Sequence, residues 1–156
     1  MTTLRSVESF ALRVVAAGED AAPTSELVYQ GASTGVVLAG AVLEAAVAWN
    51  ESYVLFLTDD ISFEDSLHIY LLDANFQPQD TASLASMYAT GSFSALTLMP
   101  PDQLGFRFFG DMDWSIELLS RPKARVPFLS EPAGVKRAIG FSRRLIIRAT
   151  PSAGRS

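Results

Sequence analysis

The chain of 156 residues has 17 acidic and 12 basic side chains, one histidine and no cysteine, and its formal net charge is −5. The lack of cysteine excludes disulfides, thiolate zinc sites and cysteine nucleophiles, and the single histidine excludes any site that needs two imidazoles. Because 49% of the residues are hydrophobic and only 19% are charged, the composition predicts a folded protein with a large core.

Short apolar runs follow one another along the chain with turn-forming residues between them, which is typical of an all-β sandwich or barrel. We therefore predict one all-β domain over residues 1–156, an antiparallel β-sandwich with a β-barrel as the alternative, and a short flexible tail from about residue 151. The predicted strands cover residues 9–16, 26–30, 41–49, 53–58, 66–72, 76–84, 93–99, 104–109, 114–119, 124–129 and 138–149.

Within the most apolar stretch, residues 35–49, the segment of residues 38–49 leaves its secondary structure open. It is rich in alanine and leucine, which favour a short helix, but from Leu43 to Trp49 its odd-numbered residues would also share one face of a strand. We favour the strand because Gly40 disfavours a helix. The stretch contains Glu44 and is shorter than the roughly 20 residues of a membrane-spanning helix. The chain also begins without a signal-peptide pattern, so we expect a cytoplasmic protein with no membrane contact.

Four carboxylates and the only histidine of the chain lie within residues 59–68. We predict a hairpin here, with strands over residues 53–58 and 66–72 and a seven-residue loop, which would pair Phe56 with His68. A helix over residues 62–72, capped by Ser62, is the alternative. One face of this hairpin is wholly apolar and is predicted to face the core; it consists of Tyr53, Leu55, Leu57, Leu67, Ile69 and Leu71. The loop contains Asp59, Asp60, Glu64 and Asp65.

Three kinds of chemistry are open to this acidic hairpin. The loop carboxylates could bind calcium, but the spacing of an EF-hand loop is absent. They could serve acid–base catalysis, alone or with acids of another loop. His68 could be the base of a hydrolase, but no G-x-S-x-G motif is present. We expect His68 to be half-buried and hydrogen-bonded to a hydroxyl such as that of Tyr70 or Thr58. We therefore predict no metal site and no cofactor.

A second hairpin, residues 104–119, also has acids in its loop. A four-residue loop over residues 110–113 would pair Phe109 with Trp114 and would place Arg107 diagonally opposite the indole, where a cation–π contact is possible. This hairpin, together with the first, suggests a set of ligand-binding candidates. They are Tyr70, Arg107, Asp111, Asp113 and Trp114.

Charge is distributed unevenly along the chain. Residues 1–120 carry 16 acidic and 3 basic side chains, a net of −13, whereas residues 121–156 carry 1 acidic and 9 basic side chains, a net of +8. The basic end could bind an external anion, or it could pack as strands against the acidic body, which we favour. The anion-binding candidates are Arg121, Lys123, Arg125, Arg143 and Arg144.

No phosphate loop, dinucleotide fingerprint or metal-ligand spacing occurs in the chain. Several predicted strands are apolar on both faces, and such strands lie between layers or face a partner. We therefore expect a non-catalytic binding or assembly module that associates with a protein partner or with itself, rather than with nucleic acid. The alternative is a small-molecule-binding protein or hydrolase that uses the loop carboxylates with His68.

Overall fold

The computed structural model describes residues 3–18, 21–60, 66–85, 91–109, 112–124, 135–137 and 142–151. The described secondary structure consists of β-strands joined by turns, with no helix. The strands are β1 (Leu4–Ser6), β2 (Phe10–Gly18), β3 (Ala21–Tyr29), β4 (Ala32–Ala39), β5 (Val42–Trp49), β6 (Ser52–Thr58), β7 (Leu67–Leu72), β8 (Pro78–Leu84), β9 (Gly91–Met99), β10 (Gln103–Phe109), β11 (Met112–Ala124), β12 (Val135–Arg137) and β13 (Ser142–Pro151).

The strands form three antiparallel sheets. The six-stranded sheet has the order β1-β5-β6-β7-β8-β12, the four-stranded sheet has the order β13-β11-β10-β9, and the three-stranded sheet has the order β2-β3-β4. Each sheet is open, with an edge strand on either side, so the described strands do not close into a barrel. The prediction of an antiparallel all-β fold is confirmed, with three sheets in place of the two of a simple sandwich.

The six-stranded sheet lies between the other two because both of its faces are apolar. Val54 and Phe56 of β6 belong to a core shared with the four-stranded sheet, whereas Leu55 and Leu57 belong to a core shared with the three-stranded sheet. Successive residues of a strand point to opposite faces, so a continuous apolar run fills both cores at once. The apolar second face of this strand is thus covered by the chain itself.

The two segments that also allowed a helix contain no helix where they are described. Residues 42–49 form β5 and residues 67–72 form β7, while residues 62–65 lie outside the described residues. The predicted alternation in β5 is wrong at one point, because a bulge at Glu44 separates the Leu43–Leu57 pair from the Ala45–Phe56 pair. An extra residue in a bulge turns the side chains that precede it to the other face. Leu43 therefore packs on the side of the three-stranded sheet and Ala45 on the side of the four-stranded sheet.

The predicted register of the acidic hairpin is also wrong, by one residue. Thr58 pairs with Leu67, so His68 lies opposite Leu57 rather than Phe56, and the connection is eight residues long. A shift of one residue exchanges the two faces of a strand. Consequently Ile69 shares a core with Phe56, while His68 lies on the face toward the three-stranded sheet, where its partner Leu57 is buried.

Strand β4 was not predicted, although its N-terminal turn has a recognisable pattern. Gln30 and Gly31 both have positive φ angles, of 51° and 81°, in the two-residue turn between β3 and β4. Two positive φ angles are typical of a type I′ hairpin. Val36 and Leu38 of β4 then reach the core with the alternation of a half-buried strand.

In the turn before β8, the left-handed residue is Phe76, with φ of 65°. The Asp73 carboxylate accepts hydrogen bonds from the backbone amides of Asn75 and Gln77 and holds the turn. The Phe76 ring packs 4.9 Å from the Tyr29 ring and 5.8 Å from the Phe10 ring. These ring contacts offset the strain of positive φ.

The described parts of the basic end are strands of the body. Strand β12 pairs with β8, and β13 pairs with β11. Asp80 of β8 accepts hydrogen bonds from the backbone amides of Arg144 and Leu145, at 2.8 and 2.9 Å, and so joins the six-stranded sheet to the four-stranded sheet. This agrees with the interpretation that the basic end packs against the acidic body.

Within the described residues the structure contains no helix that is long and apolar enough to cross a membrane.

Because both faces of β6 are buried, truncating either of two adjacent side chains should destabilise the fold to a similar extent. Leu55→Ala and Phe56→Ala should each lower the free energy of unfolding by about 2–5 kcal/mol, since each truncates a fully buried side chain in a different core. Val37→Ala, at a position that is 56% exposed, should cost less than about 0.5 kcal/mol. Urea denaturation measures all three. Two-sided burial is refuted if either Leu55→Ala or Phe56→Ala behaves like Val37→Ala.

Candidate functional sites

His68 is the centre of a hydrogen-bonded network at one end of the six-stranded sheet. Its Nε2 lies 2.8 Å from Oδ1 of Asp59, just beyond the end of β6, and its Nδ1 lies 2.9 Å from Oγ of Ser83 in β8. The His68 side chain is 13% exposed and the Asp59 side chain 7%. The expected hydroxyl contact is present, but it is made by Ser83 rather than by Tyr70 or Thr58.

The proton positions in this network follow from the chemistry of its members. A carboxylate only accepts hydrogen bonds, so Nε2 of His68 carries the hydrogen that faces Asp59. A neutral ring then has its lone pair on Nδ1 and accepts a hydrogen bond from the Ser83 hydroxyl. The network therefore ties the ends of three adjacent strands together, and it also places a serine against the basic nitrogen of a histidine.

Tyr70 is a core residue in this structure. Its hydroxyl donates to the carbonyl oxygen of Ala39 at 3.0 Å and accepts from the Ala39 amide at 2.9 Å. Burial, with a smaller contribution from the negative charge of Asp59, raises the pKa of Tyr70 to about 12, so the hydroxyl stays protonated and can donate. Tyr70 thus fastens β4 of the three-stranded sheet to the six-stranded sheet.

The second hairpin packs against the first through the core, where the rings of Phe56 and Phe106 lie 5.4 Å apart, but its register differs from the expected one. The observed register pairs Phe106 with Trp114 and Leu104 with Ile116, so the expected pairing of Phe109 with Trp114 is wrong. Arg107 and Trp114 point to opposite faces, which excludes the expected cation–π contact. Arg107 Nε donates instead to Asp113 Oδ1 at 2.9 Å. This half-exposed pair lies on the outer face of the four-stranded sheet, whereas Trp114 is buried in the core.

Asp59 of the first hairpin and Asp113 of the second, which a shared acid–base site would bring together, lie in different layers. Asp59 contacts His68 on the side of the three-stranded sheet, and Asp113 lies on the far side of the four-stranded sheet. They do not flank a common cleft. Asp60 is exposed and follows Asp59 with a φ of 60°. Four predicted site residues lie outside the described residues, namely Glu64, Asp65, Asp111 and Arg125.

The predicted anion-binding residues lie at different places in the fold. Arg144 donates from Nε to the carbonyl oxygen of Leu119 at 3.1 Å and from Nη2 to that of Ser120 at 3.2 Å. These carbonyl groups belong to an irregular stretch of β11, where the pairing with β13 shifts between Leu118 and Lys123. Lys123 and Arg143 pair with each other along the backbone, and their side chains lie outside what the structure describes.

Arg121 lines a cleft at the opposite end of the six-stranded sheet from His68. Trp49, another lining residue, pairs with Ser52, whereas His68 pairs with Leu57. Five residues of strand separate the two positions on β6, roughly 17 Å. The cleft has a volume of about 330 Å³ and lies where the six- and four-stranded sheets meet. Its lining residues are Trp49, Asn50, Pro101, Asp102, Leu118, Leu119, Ser120 and Arg121.

Backbone contacts hold the walls of the cleft in place. Asn50, in the turn between β5 and β6, accepts from the Thr3 amide through Oδ1 and donates its own amide to the Thr3 carbonyl oxygen, each at 3.0 Å. The Leu118 amide donates to the Asp102 carbonyl oxygen at 2.8 Å. The bonds from Arg144 fix the carbonyl groups of residues 119–120 on the remaining wall.

Several polar groups of the cleft have no partner within the described part of the chain. The indole Nε1 of Trp49 is buried without a hydrogen-bond acceptor, in a residue that is 4% exposed. Neither the Asp102 carboxylate nor the Arg121 guanidinium forms a hydrogen bond or ion pair with a described residue. Buried polar groups nearly always have a partner, so an orphaned donor in the wall of a cleft is a reason to look for a ligand.

Sequence reasoning found Arg121 but missed the rest of this cleft. Trp49 is predicted only to share one face of a strand, and Asp102 is not among the predicted site residues. The available signal was the position of Asn50 and Asp102 in turns next to strand ends, since turns that meet at one end of packed sheets often carry binding residues. The sequence does not reveal which turns meet, because that depends on the order of the strands.

Among the described residues, no group of three or more acidic or histidine side chains is arranged to hold a metal ion. Comparisons with protein-family models, with curated proteins and with solved structures give no match for this chain.

The His68 network predicts a large difference between two substitutions. His68→Ala should lower the free energy of unfolding by about 1.5–3 kcal/mol, because the buried Asp59 carboxylate loses a donor. Arg107→Ala, which removes a half-exposed ion pair, should cost less than about 1 kcal/mol. Urea denaturation at neutral pH compares the two variants, and equal losses would show that the network does not stabilise the fold.

Proposed function

We propose that the protein is a non-catalytic binding module and that the cleft beside Trp49 is where it holds a small polar ligand. The observation that carries this proposal is the buried indole N–H of Trp49, which has no acceptor among the described residues. Trp49 lines the cleft, so a ligand that enters it and displaces the atoms covering this N–H would supply one. The volume of about 330 Å³ is at the lower end of the range of roughly 300–1,000 Å³ for small-molecule sites.

Two further features support binding rather than catalysis at this place. The cleft contains Asp102, Ser120 and Arg121 but no histidine, since the only one in the chain, His68, lies at the other end of the sheet. Its walls are tied by hydrogen bonds to Thr3 and Arg144, which keeps the lining groups in place before a ligand arrives.

Association with a protein partner or with a second copy remains a prediction from the sequence, as does a cytoplasmic location. The sequence favoured a partner because several predicted strands are apolar on both faces, and this argument is weaker once the structure is known. In β6, both faces are buried within the chain.

Nuclear magnetic resonance can test the binding proposal, because the chain has only two tryptophans. We expect some members of a fragment library, with dissociation constants of the order of 1 mM, to shift the indole N–H signal of Trp49. The signal of Trp114, which is buried in the core, should stay in place and serves as the internal control. Failure of every fragment to shift Trp49, or equal shifts of both signals, would contradict the proposal.

A second candidate function, ester hydrolysis, is favoured by the arrangement of Ser83, His68 and Asp59. The Ser83 oxygen would attack the acyl carbon while Nδ1 of His68 takes its proton, and His68 would then protonate the leaving alcohol. A water molecule, deprotonated by His68, would next attack the acyl-serine, and the acid would leave as Ser83 regains its proton. We rank this function second because the backbone around Ser83 is paired with both β7 and β12. Acyl transfer also needs hydrogen-bond donors that face the developing oxyanion.

A fluorophosphonate probe distinguishes a reactive serine from a structural one. If the network is catalytic, the native protein gains one phosphonyl group on Ser83, and Ser83→Ala but not Ser94→Ala removes the label, as intact-mass and peptide spectrometry would show. The binding proposal predicts no labelling of Ser83 in the folded protein beyond that of the urea-denatured chain.

A further inference from the structure

The cleft beside Trp49 carries two opposite charges without partners among the described residues. Arg121 and Asp102 both line it, and neither is paired with the other or with another described side chain. The Leu118 amide binds the Asp102 carbonyl oxygen, and Arg121 lies three residues further along β11. Three residues of strand span roughly 10 Å and adjacent strands lie roughly 5 Å apart, so the backbones that carry the two charges are no more than roughly 15 Å apart along one wall.

We propose that the ligand of this cleft is a small zwitterion, such as an amino acid, whose carboxylate binds Arg121 and whose ammonium group binds Asp102. This inference rests on the proposed binding function and specifies its ligand. Trp49 lines the same cleft, where its ring would lie beside the ammonium group.

Ligands with a single charge suit this cleft less well. A simple anion would pair with Arg121 and would be repelled by Asp102, whereas a simple cation would bind Asp102 and be repelled by Arg121. A neutral ligand would displace water from both charges without replacing its hydrogen bonds. A zwitterion gives each charge a partner, and charge-assisted hydrogen bonds are about twice as strong as neutral ones.

The test compares one zwitterionic series with its singly charged counterparts. Glycine, β-alanine and γ-aminobutyrate vary the separation of the charges, while butyrate and n-butylamine each keep one charge of γ-aminobutyrate. Binding is measured as the shift of the Trp49 indole signal in the full chain. We expect at least one amino acid to bind about tenfold more tightly than both butyrate and butylamine, a difference of about 1.4 kcal/mol.

Two variants assign the charges, and two control for changes in net charge. Arg121→Gln should reduce the best amino acid to the affinity of butylamine, and Asp102→Asn should reduce it to that of butyrate. Arg13→Ala and Glu26→Gln should leave binding unchanged, because this exposed ion pair lies on the three-stranded sheet, away from the cleft.

Each alternative result has a distinct meaning. If butyrate or butylamine binds as tightly as every amino acid, or if library fragments shift Trp49 but none of these five compounds does, the zwitterion proposal is wrong and the binding function stands. If neither the five compounds nor any fragment shifts Trp49, both proposals fail.

Discussion

The burial of the β6–β7 hairpin on both faces is the constraint on which the rest of the structure depends. Residues 54–58 of β6 are all buried, and in β7 only His68 is less than fully covered. A strand of this kind is stable only between two layers, since either face would otherwise be exposed to water. The four-stranded sheet covers one face and the three-stranded sheet covers the other.

The polar groups of the molecule are arranged around this apolar centre. At one end of the hairpin, His68 links Asp59 to Ser83, and Tyr70 fastens the three-stranded sheet to it. Asp80 fastens the four-stranded sheet, because it accepts two backbone amides of β13. These contacts satisfy buried polar groups within the fold. The cleft beside Trp49 differs because its donor and its two charges remain without described partners.

The sequence predicted the all-β class and most of the strands, since alternation, apolar runs and turn residues are local properties. It could not predict the register of the acidic hairpin, because a loop of seven residues and one of eight are equally compatible with the run from Thr58 to Leu67. The bulge at Glu44 depends on pairing with β6. The cleft joins Asn50 to Asp102 and Arg121, and such a meeting of distant turns is determined by the order of the strands and not by any local pattern.

Native-state hydrogen exchange tests the central claim directly. Four strands offer a matched comparison, because β3, β6, β7 and β10 each have a hydrogen-bonded neighbour on both sides. Of these four, β6 and β7 are covered on both faces, whereas β3 and β10 are covered on one. Backbone amides that open only through global unfolding exchange most slowly. Two-sided coverage predicts that the amides of residues 54–58 and 67–72 exchange more slowly than those of β3 and β10. Equal or slower exchange in β3 and β10 would contradict it.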